Sequence, residues 1–285
     1  MTSMLFPRHL NRLETLIKQT DDMENLQIKT REEVSFIEEI EKIARNAGDV
    51  ITAYYIQGVA PEFKSQRQVV TDADRESEQL LKEQLLKIHP CGFYGEEEGG
   101  DIAEQGNQWV VDPLDGTENM NGYPPLLAVS IGLLRNGKPV LGVIYDPIHS
   151  TLYSAQEGGQ TRVNGKVIQV SSQTDPAKAV ISLDFSSEMN TRPQTLEQLS
   201  RVLKQARAVK VFGVPALSLA AVAAGRLDLF FRPSTKLTDM VAGVCMVRAS
   251  GGKVVDYGGR DWTIYSKGVI AGSAGMIDAY LSCFK

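Results

Sequence analysis

Trp109-Val110-Val111-Asp112-Pro113-Leu114-Asp115-Gly116-Thr117-Glu118-Asn119 is the stretch that decides how the rest of the chain is read. Its apolar run reads as a buried strand ending at a carboxylate. That puts Asp112 at a rigid carboxyl end, where a parallel sheet usually offers its site. Pro113 fixes φ and stiffens the bend, so Asp112, the Leu114 carbonyl and Asp115 can converge on one small volume. Two acids that close repel each other unless a cation neutralises them, and oxygen ligands of this hardness suit Mg2+ or Mn2+. Gly116 lets backbone approach a ligand, and N–H groups around Thr117 can receive a phosphate if a helical turn begins there. A strand followed by an acidic turn is the plainer reading of such a string in isolation, so other stretches have to decide.

Upstream, Phe93-Tyr94-Gly95-Glu96-Glu97-Glu98-Gly99-Gly100 brings consecutive acids behind a short apolar approach, as at a second strand end. Acids between glycines also make solvated loops, but here they supply the further oxygen ligands that Mg2+ needs. Thr71 reads as the N-cap of a helix with Asp72 and Asp74 in its first turn. Ala73, Ser77, Leu80, Leu81, Leu85 and Ile88 form its buried face, and capping alone accounts for either aspartate. An earlier helix from about Glu32 to Ile56 turns Ile37, Ile40, Ala44, Ala47 and Ile51 to one side. Residues 1–30 read as an N-terminal arm.

Downstream, apolar runs at Pro124–Leu134 and Pro139–Tyr145 flank Asn136-Gly137, and Asn164-Gly165 carries the same hairpin signal. A further strand is expected at Thr151–Ala155. The second half alternates: strands at Ala179–Asp184, Val209–Phe212, Leu227–Phe231, Lys253–Val255 and Gly268–Ala271, and helices at Pro193–Ala208, Ala216–Ala224, Thr238–Ala249 and from Ser273. Asp239, in a first turn, reads most simply as a capping residue. The domain expectation is an arm at 1–30, a metal-binding α+β half at 31–177, and a C-terminal α/β half at 178–285 that completes the site.

The chain has 285 residues, 42% of them hydrophobic, enough for a large core. A formal charge of −5 with no basic stripe argues against nucleic-acid binding. Cys91, Cys245 and Cys283 form no zinc or disulfide pattern, which suits a reducing compartment. No run spans a bilayer and no signal segment is evident, so a cytoplasmic, membrane-free protein is expected. His9, His89 and His149 stand beside no candidate nucleophile, so direct attack by water is preferred over a covalent intermediate.

From about residue 33 onward the sequence resembles the inositol monophosphatase family of Mg2+-dependent, lithium-sensitive phosphomonoesterases. Four signatures carry the resemblance, in order: Val70-Thr71-Asp72-Ala73-Asp74, Gly95-Glu96-Glu97, Asp112-Pro113-Leu114-Asp115-Gly116-Thr117 and Asp239-Met240-Val241-Ala242-Gly243. The resemblance implies an α/β (α+β) fold, a layered αβαβα sandwich, and a homodimer. It also implies two to three Mg2+ ions, with Mn2+ as an alternative. Glu96, Asp112 and the Leu114 carbonyl would hold the first ion; Asp112, Asp115 and Asp239 the second; and Glu96 with Asp74 a weaker third. Thr117 and Asp74 would orient and deprotonate the attacking water. Backbone N–H groups of Gly116 and Thr117 would hold phosphate, and Lys64 matches a basic residue on a mobile loop.

The departures concern substrate. Thr238 stands where the family commonly has Trp, as in an archaeal-type branch, and Met120 where Phe is often found. Arg232 replaces the Glu that receives inositol hydroxyls in the animal enzymes. At that rim, Arg232 with Lys236 could bind a second phosphate. Three functions stay open: a phosphatase for inositol monophosphate or a similar small polyol or sugar phosphate; one for fructose 1,6-bisphosphate, 3′-phosphoadenosine 5′-phosphate or NADP; and a metal-binding regulator without turnover.

Overall fold

Helix α1 (residues 36–57) opens the part of the chain that the computed structural model describes: residues 36–58, 62–65, 68–120, 122, 125–186 and 188–284, with side chains at 62–65 and 68–70 excepted. Residues 41–285 form one compact unit. The proposed arm at 1–30 lies outside the described residues. In α1, Ile43, Ala44, Ala47 and Ile51 are buried at helical spacing. Two short strands follow, β1 (Glu62–Ser65) and β2 (Gln68–Val70), paired antiparallel.

Helix α2 (Asp72–Ile88) starts where its sequence predicts. The Asp74 carboxylate accepts the Thr71 backbone N–H at 2.7 Å and the Thr71 hydroxyl at 2.6 Å. This ties down the first turn as a capping residue does. Ala73, Ser77, Leu81 and Leu85 are buried one turn apart.

The first sheet has seven strands in sequence order: β3 (Gly92–Gly95), β4 (Asn107–Asp115), β5 (Ala128–Arg135), β6 (Lys138–Asp146), β7 (Thr151–Gln156), β8 (Arg162–Val163) and β9 (Lys166–Val167). Only β3 and β4 run parallel, and every other pair is antiparallel. The carboxyl end of β4 therefore has a parallel neighbour on one side only. Asn136 (φ 51°) with Gly137 (φ 71°), and Asn164 (φ 45°) with Gly165 (φ 78°), make tight turns of the expected kind. The β4–β5 ladder shifts between Asp112 and Asp115. Pro113 brings no N–H to that ladder, and the Leu114 N–H turns instead onto Asp112 Oδ1 at 2.9 Å.

The second sheet is built from β10 (Val180–Leu183), β11 (Ala208–Lys210), β12 (Leu229–Arg232), β13 (Lys253–Val255) and β14 (Val269–Gly272), in the order β11-β10-β12-β14-β13. Its helices are α3 (Arg192–Leu203), α4 (Pro215–Ala223), α5 (Leu237–Ala249) and α6 (Ala274–Tyr280). Helix α3 ends five residues short of the expected Ala208, because Ala208 is taken up by β11 beside Val180.

Helix α5 buries Thr238 through Val247 on every side, as a helix enclosed between two sheets must. It packs on β4, β5, β6 and β7 and, with α4, on the second sheet. One core joins Ile144 and Tyr153 through Leu219, Met240 and Val244 to Phe230, Val254 and Ala271. Leu229, Phe231 and Ile270 point the other way, onto Val202, Met276, Ile277 and Tyr280. With α1 and α2 on the outer face of the first sheet, the order is α, β, α, β, α. Among the described residues no helix is long and apolar enough to cross a membrane.

Candidate active site

Asp112 and Asp115 stand at the end of β4, 2% and 6% exposed. Asp112 accepts from Leu114 as above, and Asp115 Oδ2 accepts the Ala216 N–H at 2.7 Å. That N–H belongs to the first turn of α4, where helix dipole and free donors favour an anion. Glu96 follows directly on β3, and Asp239 lies in the first turn of α5. Carboxylate oxygens of Glu96, Asp112 and Asp239 fall within 4.8 Å of one another.

The electrostatics follow from burial and crowding. Burial pushes the Asp112 carboxyl far above its ordinary range, and Glu96, Asp115 and Asp239 add to it. Burial raises Asp115 too, helped by Asp239 and Asp184 and offset in part by the Ala216 N–H and Arg232. Among the described residues no ion pair reaches Asp112 or Asp115. Burying two carboxylates without a direct ion pair costs several kcal/mol each, on the order of what an ion would have to offset. The donor set is all oxygen, from separate segments, with carboxylates that crowd together. It fits a hard divalent cation.

Beside these acids, Thr117 Oγ1 donates to Asp74 Oδ1 at 3.0 Å, with the Leu114 carbonyl an equal alternative at 3.0 Å. Thr117 begins a short 3-10 turn, Thr117–Asn119, preceded by Gly116 at φ 96°. A Cβ on Gly116 would lie 2.8 Å from both the Leu126 carbonyl oxygen and Val214 Cγ2. Only glycine serves there, by conformation and by space. Burial raises the Asp74 carboxyl to about 6, although its bonds from Thr71 pull the other way.

The structure gathers Asp74, Glu96, Asp112, Leu114, Asp115, Gly116, Thr117 and Asp239 around one end of the first sheet. It treats the two cations differently from the sequence reading. Arg232 is not a rim residue: it is 7% exposed and paired with Asp239. The cause is strand alternation, since Leu229 and Phe231 face the outer helices while Phe230 and Arg232 face the α4–α5 layer. Arg232 Nε is buried without a partner. Burial alone would lower this guanidinium, but Asp239, Asp184 and Asp115 outweigh it and hold the charge. Lys236 lies 2.6 Å from Glu96. Lys64 falls in β1, in a hairpin rather than an open loop, and its side chain lies outside the described residues.

Two further acids were not singled out from sequence. Glu78 accepts the backbone N–H groups of Glu97 at 2.9 Å and Glu98 at 2.7 Å, clamping the turn that carries Glu96. Gly95 is the matching gap, because a Cβ there would lie 2.5 Å from the Glu78 carboxyl. Glu78 follows Asp74 by one helical turn, a spacing that could have revealed it. Asp184 ends the apolar run of β10 as Asp112 ends that of β4, and it accepts the Gly213 N–H at 2.7 Å. Burial lifts it to about 6.

A model of the inositol monophosphatase family matches residues 32–283. Inositol monophosphatase 2 of Solanum lycopersicum is 33% identical over 258 residues, 87% of this chain and 97% of that protein. Nus factor SuhB of Escherichia coli (strain K12) is 30% identical over 246 residues, 85% of this chain and 92% of that protein. Among solved structures, extragenic suppressor protein suhB from Bartonella henselae superposes with a TM-score of 0.82 at 33% identity, covering 88% of this chain and 98% of that one. Inositol monophosphatase from Anabaena (Nostoc) gives 0.78 at 29% identity, covering 91% and 96%. Sequence, fold and the order of the acidic segments agree, and the chain belongs to the inositol monophosphatase family.

Proposed function

We propose that this member of a phosphatase family hydrolyses inositol monophosphate or a similar small polyol or sugar phosphate, by direct attack of water on phosphorus. The observation that carries the reading is the meeting of Glu96, Asp112 and Asp239, with Asp115 alongside, next to the Thr117–Asp74 pair. Glu96, Asp112, the Leu114 carbonyl, Asp115 and Asp239 would hold the Mg2+ ions. When bound, such ions neutralise the phosphate dianion, make water more acidic and stabilise the departing alkoxide.

The chain's own groups do the rest. Thr117 holds Asp74 Oδ1 toward the site, and Asp74 takes a proton from the water as its oxygen bonds to phosphorus. The ester P–O bond breaks, and the leaving alkoxide takes a proton from solvent water, balanced when Asp74 returns its own proton to solvent. A carboxyl lifted to about 6 is poised for such transfer near neutral pH. Backbone N–H groups of Gly116 and Thr117 would hold phosphate oxygens, and Lys64 would approach from the hairpin. The bisphosphate alternative drew on Arg232 and Lys236 as free cations. Arg232 is buried against Asp239 rather than open to substrate, which favours a monophosphate. Lithium sensitivity, a homodimer and a cytoplasmic place belong to the same reading, through the family resemblance.

Phosphate release with Mg2+ from inositol monophosphate and fructose 1,6-bisphosphate, with and without Li+, tests the proposal. Release that favours the monophosphate and is lost with chelator and with Asp115→Asn supports it. Turnover that survives both treatments, or no turnover of any monophosphate, overturns it.

A further inference from the structure

Of the three carboxylates that could share an ion, two already hold a cation of the chain's own. Lys236 Nζ lies 2.6 Å from Glu96 Oε1, and Arg232 pairs with Asp239. These cations differ in freedom. The Arg232 side chain is 8% exposed and stands at the end of an interior strand. The Lys236 side chain is 41% exposed. It sits on the residue just before α5, on a flexible four-carbon stem that can turn to water. Its ammonium faces Glu96, Asp239 and Asp112 together, the same three acids whose oxygens cluster within 4.8 Å.

Charge decides which cation yields. The four carboxylates read as ligands, Glu96, Asp112, Asp115 and Asp239, with Arg232 and Lys236 leave the site two units negative. A divalent ion added with Lys236 in place would set an ammonium and an ion facing each other across the same Glu96 oxygen. With Lys236 turned to solvent, that oxygen is left to the ion. Like charges at such range repel, and more so at the effective dielectric of a half-buried site than in water.

We infer that Lys236 is an internal competitor for the divalent ion: it holds Glu96 in the ion-free protein and releases it when an ion binds, while Arg232 stays on Asp239 throughout. The inference rests on the reading of Glu96, Asp112 and Asp239 as ion ligands. It assigns to Lys236 the setting of ion affinity.

Mn2+ binding to the full chain, followed by calorimetry and by the electron paramagnetic resonance of free Mn2+, tests this without turnover. Lys236→Met is expected to bind Mn2+ at least threefold tighter than the wild type at low salt. Lys236→Arg keeps the charge and is expected to stay within twofold of the wild type. Circular dichroism checks that both are folded, and Lys236→Gln provides a second neutral variant. Unchanged or weaker binding in the neutral variants overturns the inference, and weaker binding would make Lys236 a support for Glu96 as a ligand. No uptake of Mn2+ by the wild type would sink the ion-site reading itself, and the inference with it.

Discussion

Thr117 Oγ1 lies 3.0 Å from Asp74 Oδ1, as it does from the Leu114 carbonyl, and so joins residues 43 positions apart. The second carboxylate oxygen is occupied by Thr71, so only Oδ1 is left to receive a proton. Asp74→Asn should lower kcat by about 10²- to 10⁴-fold, the usual worth of a positioned proton acceptor. Thr117→Val should cost less, and Thr117→Ser, which keeps the hydroxyl, least. Steady-state kinetics on a monophosphate gives the order. Equal losses for Thr117→Ser and Thr117→Val would show that the hydroxyl is irrelevant.

Glu78 offers two acceptors to two N–H groups, and both bonds need a carboxylate. Glu78→Gln turns one acceptor into a donor facing an N–H, a loss of about 1–3 kcal/mol for a buried group left unsatisfied. The urea midpoint should fall accordingly. The rise in Tm on adding Mg2+ should shrink as well, because the turn carrying Glu96 is no longer held. A variant as stable as the wild type, with the same Mg2+ response, would remove Glu78 from the account.

Asp112 is buried among like charges, and its bond from Leu114 would survive replacement by Asn. In chelator, Asp112→Asn should therefore stabilise the protein by about 1–3 kcal/mol, since it removes a buried carboxyl crowded by other acids at constant shape. The same variant should lose the Mg2+-dependent rise in Tm. Destabilisation in chelator would contradict the charge argument.

Asp184 gives a pH signature. Its carboxyl is lifted by burial to about 6 in the fold, against roughly 4 in an unfolded chain. The folded state therefore binds the proton more tightly. The stability this adds is present below the unfolded value and is lost as pH rises through about 6. Moving from pH 7 to pH 5 in chelator, the wild type should gain about 1 kcal/mol from this group that Asp184→Asn does not. Urea midpoints at both pH values decide it, and identical pH responses would exclude the effect.

What was legible in the sequence has local causes. Asn136-Gly137 and Asn164-Gly165 adopt positive φ almost regardless of context, so the hairpins could be read directly. The continuous apolar run into Asp112 described a strand buried on both faces, and Thr71 with Asp74 described a helix start. The β1–β2 hairpin was not legible, because Glu62–Ser65 and Gln68–Val70 are too short and polar to show alternation. Arg232 read as a rim residue able to bind a second phosphate. Nothing local says which face of a short strand will meet α5.

The sequence by itself determined which carboxylates exist, that several end apolar strands or open helices, and which family's order they follow. These are properties of short windows, set by propensity, periodicity and capping. Only the tertiary structure decided which acid meets which cation. Lys236 reaches Glu96 across 140 positions, and Ala216 reaches Asp115 across 101. Such pairings exist because an apolar helix packs between two sheets, bringing strand ends from both to one place. Packing of that kind is a property of the whole chain, and no segment of it carries the information alone.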